Sequence, residues 1–210
     1  EKSFLRKFIK LFSRNPSSSD EVADMLRSAE NESIIDADAL QIMEGALKVS
    51  DLQAREIMIP KSQMKLIESD FSLEEVLDVV TQSQHSRFPV VGESSDDVLG
   101  ILLAKELIPL ILDGKESFDL KNMLRPANII PESKRISILL KEFREQRYHM
   151  AIVVDEYAGV SGLLTIEDVL EEIVGEIEDE TDEAEPEQIL ALSDNLFSVD
   201  AITDISDFNE

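Results

Sequence analysis

The sequence contains no cysteine and no tryptophan, and only two of its 210 residues are histidine. Without cysteine the chain cannot form a disulfide bond or bind a metal ion through thiolates. With only His85 and His149 available, a zinc site built on histidine is also disfavoured. We therefore expect no resident metal site.

Basic residues are scarce: 20 Lys and Arg face 45 Asp and Glu, and the formal net charge is −25. Such a chain repels the phosphate backbone of nucleic acids, so we expect no DNA or RNA partner. Long apolar runs are absent as well, because stretches such as Leu107–Leu112 are far shorter than a membrane span. No signal-peptide pattern is present, and a cytoplasmic protein is expected.

Residues 1–52 are predicted to form a helical N-terminal segment. Phe4, Phe8 and Phe12 recur every four residues among lysines and arginines, which is typical of a basic amphipathic helix. That helix could lie on an anionic membrane, dock on a partner, or pack on its own domain. Two further helices are expected, one starting near Asp20 after a serine cap and one over Ala37–Val49.

Beyond Leu52 the chain repeats itself. The segments HSRFPVV and VLGILLAKEL correspond to RYHMAIVV and VSGLLTIEDV, and one constant offset aligns Pro89 with Ala151 and Gly100 with Gly162. An amphipathic helix precedes each first segment, and there the offset is longer by one position, since Leu73 aligns with Ile136. The pattern predicts strand, helix, strand, strand, helix, twice over, in an α/β (α+β) fold whose two small sheets pack against each other.

The second repeat ends in the segment GLLTIED, in which Thr165 and Asp168 are three residues apart. This spacing matches a capping box, so helix capping alone explains it. The same geometry also suits a nucleotide. A helix N-terminus attracts phosphate, a threonine hydroxyl can donate to it, and a carboxylate one turn later can accept from ribose hydroxyls. Gly162 would allow a close backbone approach.

Each CBS domain ends in a recognisable motif: a glycine, two apolar residues, a Thr or Ser, and an Asp three residues later. The end of this repeat of about sixty residues resembles that motif, and the repeat therefore resembles the CBS domain. Two in tandem resemble a CBS pair. Three longer segments are similar to the CorC/HlyC family, which is linked to magnesium and cobalt efflux. They are REIMIPKSQM, HSRFPV and PESKRISILLKEFREQRYHMAIVVDEYAGVSGLLTIEDVLEEIVGEIEDE. The resemblance implies tandem CBS domains over 53–116 and 117–178.

The resemblance also implies a site for an adenine nucleotide, AMP or ATP, with or without Mg²⁺, between the repeats. Thr165 and the SRFP residues Ser86 and Arg87 would contact phosphates, and Asp168 would hold the ribose. The adenine would be walled by Met58, Ile59 and Pro60, and the nucleotide-binding set further includes Phe88, Pro89 and Gly162. In the first repeat Leu103 and Glu106 replace Thr165 and Asp168, so we expect a degraded or empty site there.

As partners, the resemblance implies a second copy of the chain, in a homodimer through the CBS pair, and a membrane ion transporter. The protein could then be peripheral at the inner membrane. Residues 179–187 are predicted to form an acidic linker. The resemblance implies that residues 188–210 are the start of a truncated C-terminal transporter-associated domain. Alternating apolar residues around Leu196 and Phe197 predict a hairpin there.

Two other functions stay open beside the non-enzymatic regulatory module that the resemblance implies. One is a Mg²⁺-dependent nucleotide hydrolase that uses Glu171, Glu172 and Glu176, although the sequence has no P-loop. The other is a structural dimerisation module whose clefts are empty.

Overall fold

The computed structural model describes residue 16 and residues 18–113, 118–175, 189–193 and 196–199. It divides into two compact units, Glu1–Gly175 and Glu176–Glu210. The predicted basic amphipathic helix around Phe4–Phe12 and the predicted acidic linker 179–187 lie outside the described residues.

The first unit opens with two helices, α1 (Ser19–Asn31) and α2 (Ala37–Asp51). Ser18 caps α1 by accepting from the Glu21 amide, and Asp36 caps α2 by accepting from the Ala39 amide. Both predicted helices are therefore confirmed. No residue of α1 is buried, so α1 lies on the surface of the unit.

The two repeats follow in the predicted order of strand, helix, strand, strand, helix. A short helix α3 (Ala54–Ile57) and strand β1 (Ile59–Pro60) lead into them. The first repeat consists of β2 (Ile67–Glu68), α4 (Leu73–Ser83), β3 (Arg87–Val91), β4 (Val98–Leu103) and α5 (Ile108–Asp113). The second consists of β5 (Asn128–Pro131), α6 (Ile136–Gln146), β6 (Met150–Val154), β7 (Val160–Thr165) and α7 (Ile166–Val174).

Each repeat forms its own small sheet, and the second sheet also receives a strand that precedes the first repeat. The strand orders are β2-β3-β4 and β1-β7-β6-β5. Strand β1 pairs antiparallel with β7, which places Ile59 opposite Leu163. A matching exchange joins Arg125 to Ile101 of β4 by two backbone hydrogen bonds of 2.8 and 2.9 Å. The sheet of each repeat thus pairs with the chain segment that leads into the other repeat.

The strand register corrects the alignment of Pro89 with Ala151 that the sequence suggested for HSRFPVV and RYHMAIVV. Val90 pairs with Gly100 and Val153 pairs with Gly162, so Val90 corresponds to Val153 and the two segments are offset by one further position. The loop after β6 is accordingly shorter by one position than the loop after β3. Ser86 therefore corresponds to His149, so His85 and His149 are not counterparts in the two repeats.

The apolar strands account for the core. Val90, Phe88 and Leu102 are fully buried under α4, and Ala151, Val153 and Leu164 are fully buried under α6 and α7. A third cluster joins β4 to β6 and β7 through Ile101, Met150, Ile152, Val160 and Leu163. The two sheets therefore pack against each other, as the sequence predicted.

The second unit contains an antiparallel pair, β8 (Ile189–Ser193) and β9 (Leu196–Val199). This pair confirms the hairpin predicted around Leu196 and Phe197.

Candidate functional site

The N-terminus of α7 begins where β7 ends, and its first turn is a closed capping box. The Asp168 amide donates to Thr165 Oγ1 at 3.2 Å, and the Thr165 amide donates to Asp168 Oδ2 at 2.6 Å. The capping function predicted for the pair is therefore present. Asp168 Oδ1 and the Thr165 hydroxyl hydrogen take no part in these two bonds, so both can still serve a ligand.

The Asp168 carboxyl group is half-buried, and this desolvation raises its pKa above the ordinary aspartate value. The hydrogen bond from the Thr165 amide acts in the other direction, and nearby Glu167 adds to the rise. A half-buried carboxylate with a raised pKa at the edge of a cavity is a candidate functional group, in addition to its role in the cap.

A cavity of about 350 Å³ lies in front of this helix end, between the two repeats. Its volume is at the lower end of the range for small-molecule sites. Four of the predicted residues line it together, namely Thr165 and Asp168 from the second repeat and Ser86 and Arg87 from the first. Ile59, predicted to wall an adenine, lines it as well. Residues from distant parts of the sequence thus meet at one site.

Glu167 adds a second carboxylate beside Asp168 in the cavity lining, and its charge opposes an anion there. Its Oε1 atom lies 3.5 Å from Arg87 Nη1 and 3.9 Å from His149 Nδ1. The guanidinium group that was predicted to contact phosphate therefore already faces a carboxylate. A phosphate group that binds Arg87 would compete with Glu167 for it.

The other predicted residues lie close to the cavity but do not line it. Phe88 is fully buried in the core and Pro89 is buried in β3, and both directly follow Arg87 in the strand. Pro60 pairs with Gly162. A Cβ atom at Gly162 would overlap the Ile59 carbonyl oxygen and lie 3.1 Å from Met58 Sδ. The close approach predicted at Gly162 is thus made by the protein's own strand β1, and Met58 packs behind it.

Several lining residues were missed by the sequence analysis. They are Gln63, Met64, Lys65, Gln84, His85, Met150, Leu163 and Glu167. The first three follow β1, and only the exchange of β1 into the second sheet brings them to α7. Gln84 has a positive φ of 57° that turns the chain from α4 into the site. The chain makes the same left-handed turn at Arg147 in the second repeat.

At the corresponding place in the first repeat the acidic side chain is engaged in an ion pair. Glu106, the counterpart of Asp168, accepts from Arg125 Nη2 at 2.6 Å and from Arg125 Nε at 3.2 Å. Leu103, the counterpart of Thr165, forms no side-chain cap. Both observations agree with the expected degraded site at this end.

A larger open groove of about 570 Å³ lies between α1, α2 and the end of α7. Its two basic side chains already pair within the protein, since Arg27 Nε lies 2.8 Å from Glu44 and Lys48 Nζ lies 2.8 Å from Glu172. Glu172 therefore serves the contact between α2 and α7, and Glu176 lies outside the described residues. Within the described part of the chain, no group of three or more acids or histidines could hold a metal ion.

Comparison with known proteins adds independent support for this architecture. The CBS-domain family matches residues 54–113 and 118–175, and the N-terminal region of NMB0537 matches residues 14–49. The magnesium and cobalt efflux protein CorC of Vibrio cholerae is 49% identical over 208 residues, which are 99% of this chain and 72% of that protein. The chain belongs to the CorC family. The Escherichia coli K12 protein of the same name is 48% identical over 200 residues, 95% of this chain and 68% of that protein.

Solved structures similar to this CorC-family chain include CBS domains crystallised with adenine nucleotides. A protein domain from Neisseria meningitidis MC58 has a TM-score of 0.69 and 47% identity, over 73% of this chain and 99% of that one. The CBS domain of a bacterial CNNM/CorC family Mg²⁺ transporter in complex with ATP has a TM-score of 0.59 and 40% identity, over 65% and 97%. A Klebsiella pneumoniae CBS-domain pair with bound AMP has a TM-score of 0.54 and 29% identity, over 60% and 100%.

None of the helices in the described residues is both long enough and apolar enough to span a membrane.

Proposed function

We propose that this CorC-family chain is a non-enzymatic sensor whose CBS pair binds one adenine nucleotide, AMP or ATP, in the cavity at the N-terminus of α7. The observation that carries the proposal is the convergence of four groups suited to a nucleotide. These are the Thr165 hydroxyl and helix amides, the half-buried Asp168 carboxylate, the Ser86 hydroxyl and the Arg87 guanidinium group. The relatives crystallised with ATP and with AMP support the same ligand class.

Each group has one role in this proposal. The phosphates face the Thr165 hydroxyl, Ser86 and Arg87, while the ribose hydroxyls donate to the free oxygen of Asp168. The base lies against the apolar wall of Ile59, Met64 and Leu163, and the Met64 thioether favours contact with a flat ring. Met58, Pro60, Phe88, Pro89 and Gly162 act from behind the wall. Mg²⁺ would enter with the ATP phosphates, since these bring their own oxygen ligands.

Calorimetric titration of AMP, ADP and ATP, each with and without Mg²⁺, tests this function. We expect saturable binding at one site per chain and no product after long incubation. Formation of ADP or AMP from ATP would identify the hydrolase. Absence of binding with every nucleotide would leave the structural dimerisation module as the better account.

Replacement of Glu167 by glutamine should tighten ATP binding about threefold, because a carboxylate some 6 Å from a phosphate repels it by about 0.7 kcal/mol in water. The gain should be smaller for AMP, which carries less charge, and should shrink at high salt. Glu145→Gln is the matched control. Glu145 is exposed on α6 and lies 3.8 Å from Lys141, so its loss removes one charge away from the cavity. Equal or weaker ATP binding by Glu167→Gln would contradict this electrostatic role.

We further propose that the chain forms a homodimer through the CBS pair. Ile108, Ile111 and Leu112 on α5 are all exposed, and Leu112 is 78% exposed. Such a row of apolar side chains favours an isologous contact with a second copy. Sedimentation velocity should give a dimer for the wild-type chain and a monomer for Leu112→Asp, with circular dichroism to confirm that the variant folds. A monomeric wild-type chain would refute the contact.

The dimer would report nucleotide occupancy to a membrane ion transporter involved in magnesium and cobalt efflux, the process named for the curated relatives. A ligand can change the relative angle of the repeats only if it binds the two arrangements unequally. In this proposal the domains span 53–116 and 117–178, and the chain acts from the cytoplasm, peripheral to the inner membrane.

A further inference from the structure

Asp96 joins three segments of the chain that are far apart in sequence. It lies in the loop between β3 and β4, and one of its oxygens, Oδ1, accepts from Lys61 Nζ at 2.7 Å and from the Val160 amide at 2.7 Å. Lys61 follows strand β1, and Val160 begins strand β7. A single carboxylate oxygen in the first repeat is therefore bonded to a strand of the second repeat and to the segment that leads from β1 into the first repeat.

Both partners of Asp96 begin segments that line the nucleotide cavity, although Asp96 itself does not line it. Lys61 opens a 3-10 turn that ends at Gln63, and Gln63, Met64 and Lys65 form one part of the cavity wall. Val160 opens β7, whose Leu163 and Thr165 form another part. The position of one wall segment relative to the other therefore depends on the bonds that Asp96 makes.

The corresponding loop of the second repeat does not make this connection. There Asp155 accepts from two amides of its own loop, those of Tyr157 and Gly159, both at 2.8 Å. The pairing of Ile59 with β7 and of Arg125 with β4 makes Ala127 the counterpart of Lys61. Alanine has no charge to offer a carboxylate. The connection thus belongs to the side of the molecule that carries Thr165 and Asp168.

We infer that Asp96 is a positioning residue for the nucleotide site: it holds the Gln63–Lys65 wall against β7 so that the base and ribose find a preformed cavity. The inference rests on the proposed nucleotide function. A preformed wall raises affinity because less order must be gained on binding. Hydrogen bonds from Lys61 and the Val160 amide also hold the pKa of Asp96 below its ordinary value, so the carboxylate is ionised at neutral pH.

The test compares Asp96→Ala and Asp96→Asn with the wild-type chain, using AMP and ATP as ligands. We expect Asp96→Ala to weaken both nucleotides by a similar factor of about five, because the wall contacts the base and ribose that they share. Asp96→Asn keeps an oxygen for the Val160 amide but loses the charge that Lys61 pairs with, so its affinity should lie between the two. Glu145→Gln again removes one exposed charge and should bind like the wild type.

Hydrogen exchange of the unliganded proteins supplies a readout that a general loss of stability would not mimic. Amides of residues 61–65 and of Val160 should exchange faster in Asp96→Ala, while those of α4 and α6 keep their wild-type rates. If the wild type binds nucleotide and Asp96→Ala binds it within twofold, the positioning role is wrong and the nucleotide function stands. Uniformly faster exchange would likewise refute it. If the wild type binds neither nucleotide, both proposals fail together.

Discussion

Asparagine in place of Asp168 should weaken AMP binding about thirtyfold while leaving the thermal midpoint of unfolding unchanged or higher. The loss of affinity arises because both ribose hydroxyls donate hydrogen bonds at this position and need a charged acceptor. One Asp168 oxygen already accepts from the Thr165 amide at 2.6 Å, so the other carries the ligand. An asparagine can keep the first bond but presents an NH₂ group to the hydroxyls. A lost hydrogen bond to a charged group corresponds to about 2 kcal/mol, or about thirtyfold in affinity.

The expected stability follows from the direction of the pKa shift. Burial raises the pKa of Asp168 in the folded chain, so the folded state binds the proton more tightly than the unfolded state does. The ionised carboxylate is therefore a cost to folding above the raised pKa, and stability rises as the pH falls through it. Asparagine removes that cost and retains the cap. A lower midpoint would show that the helix needs the charge itself.

The same shift predicts how binding depends on pH. The wild-type affinity should fall as the pH is lowered through the raised pKa of Asp168, at a higher pH than an ordinary aspartate would give. Asp168→Asn removes this group, so the difference between the two pH profiles isolates it from protonation of the nucleotide phosphate. Calorimetry between about pH 4 and pH 8 measures both. Parallel profiles for the two proteins would contradict a ligand contact by Asp168.

The repeat pattern predicted much of this fold, because the elements of each repeat are encoded in local sequence. Alternation from apolar strands to amphipathic helices located α4, α6 and the four strands β3, β4, β6 and β7. The spacing of Thr165 and Asp168 located the helix end. What local sequence does not contain is the exchange of β1 into the sheet of the second repeat, since Ile59 and Leu163 are brought together only by tertiary pairing.

That exchange explains why some predicted residues lie outside the cavity lining and why sequence reasoning missed others. Gly162 and Pro60 were predicted at the nucleotide, and the structure places them at the pairing of β1 with β7, next to Ile59 in the lining. Gln63 and Lys65 carry no motif, yet the same pairing brings them to the cavity. Glu167 was missed because the motif was assigned to Thr165 and Asp168 on either side of it. Its charge becomes significant only once Arg87 is seen 3.5 Å away.

Alanine at Gly162 should therefore lower the free energy of unfolding by about 3 kcal/mol. This is the upper end of the cost of overpacking substitutions, and it applies because the added atom meets a fixed backbone. The added Cβ would overlap the Ile59 carbonyl oxygen, and neither strand can move without breaking the β1–β7 pairing. Urea unfolding followed by circular dichroism measures the loss. Gly100→Ala should behave similarly, because its Cβ would lie 2.7 Å from the Arg125 carbonyl oxygen at the matching exchange.

Gly159→Ala provides the control, because a Cβ there would meet only the Asp155 carboxylate, at 3.0 Å, and a side chain can move aside. We expect that variant to lose less than about 1 kcal/mol. The two interpretations of Gly162 then give opposite results. If the glycine admits strand β1, alanine lowers stability, and AMP binding weakens because Ile59 shifts from the cavity wall. If the glycine instead admits the nucleotide, alanine abolishes AMP binding and leaves the urea midpoint in place, which would refute the structural role argued from the β1–β7 pairing.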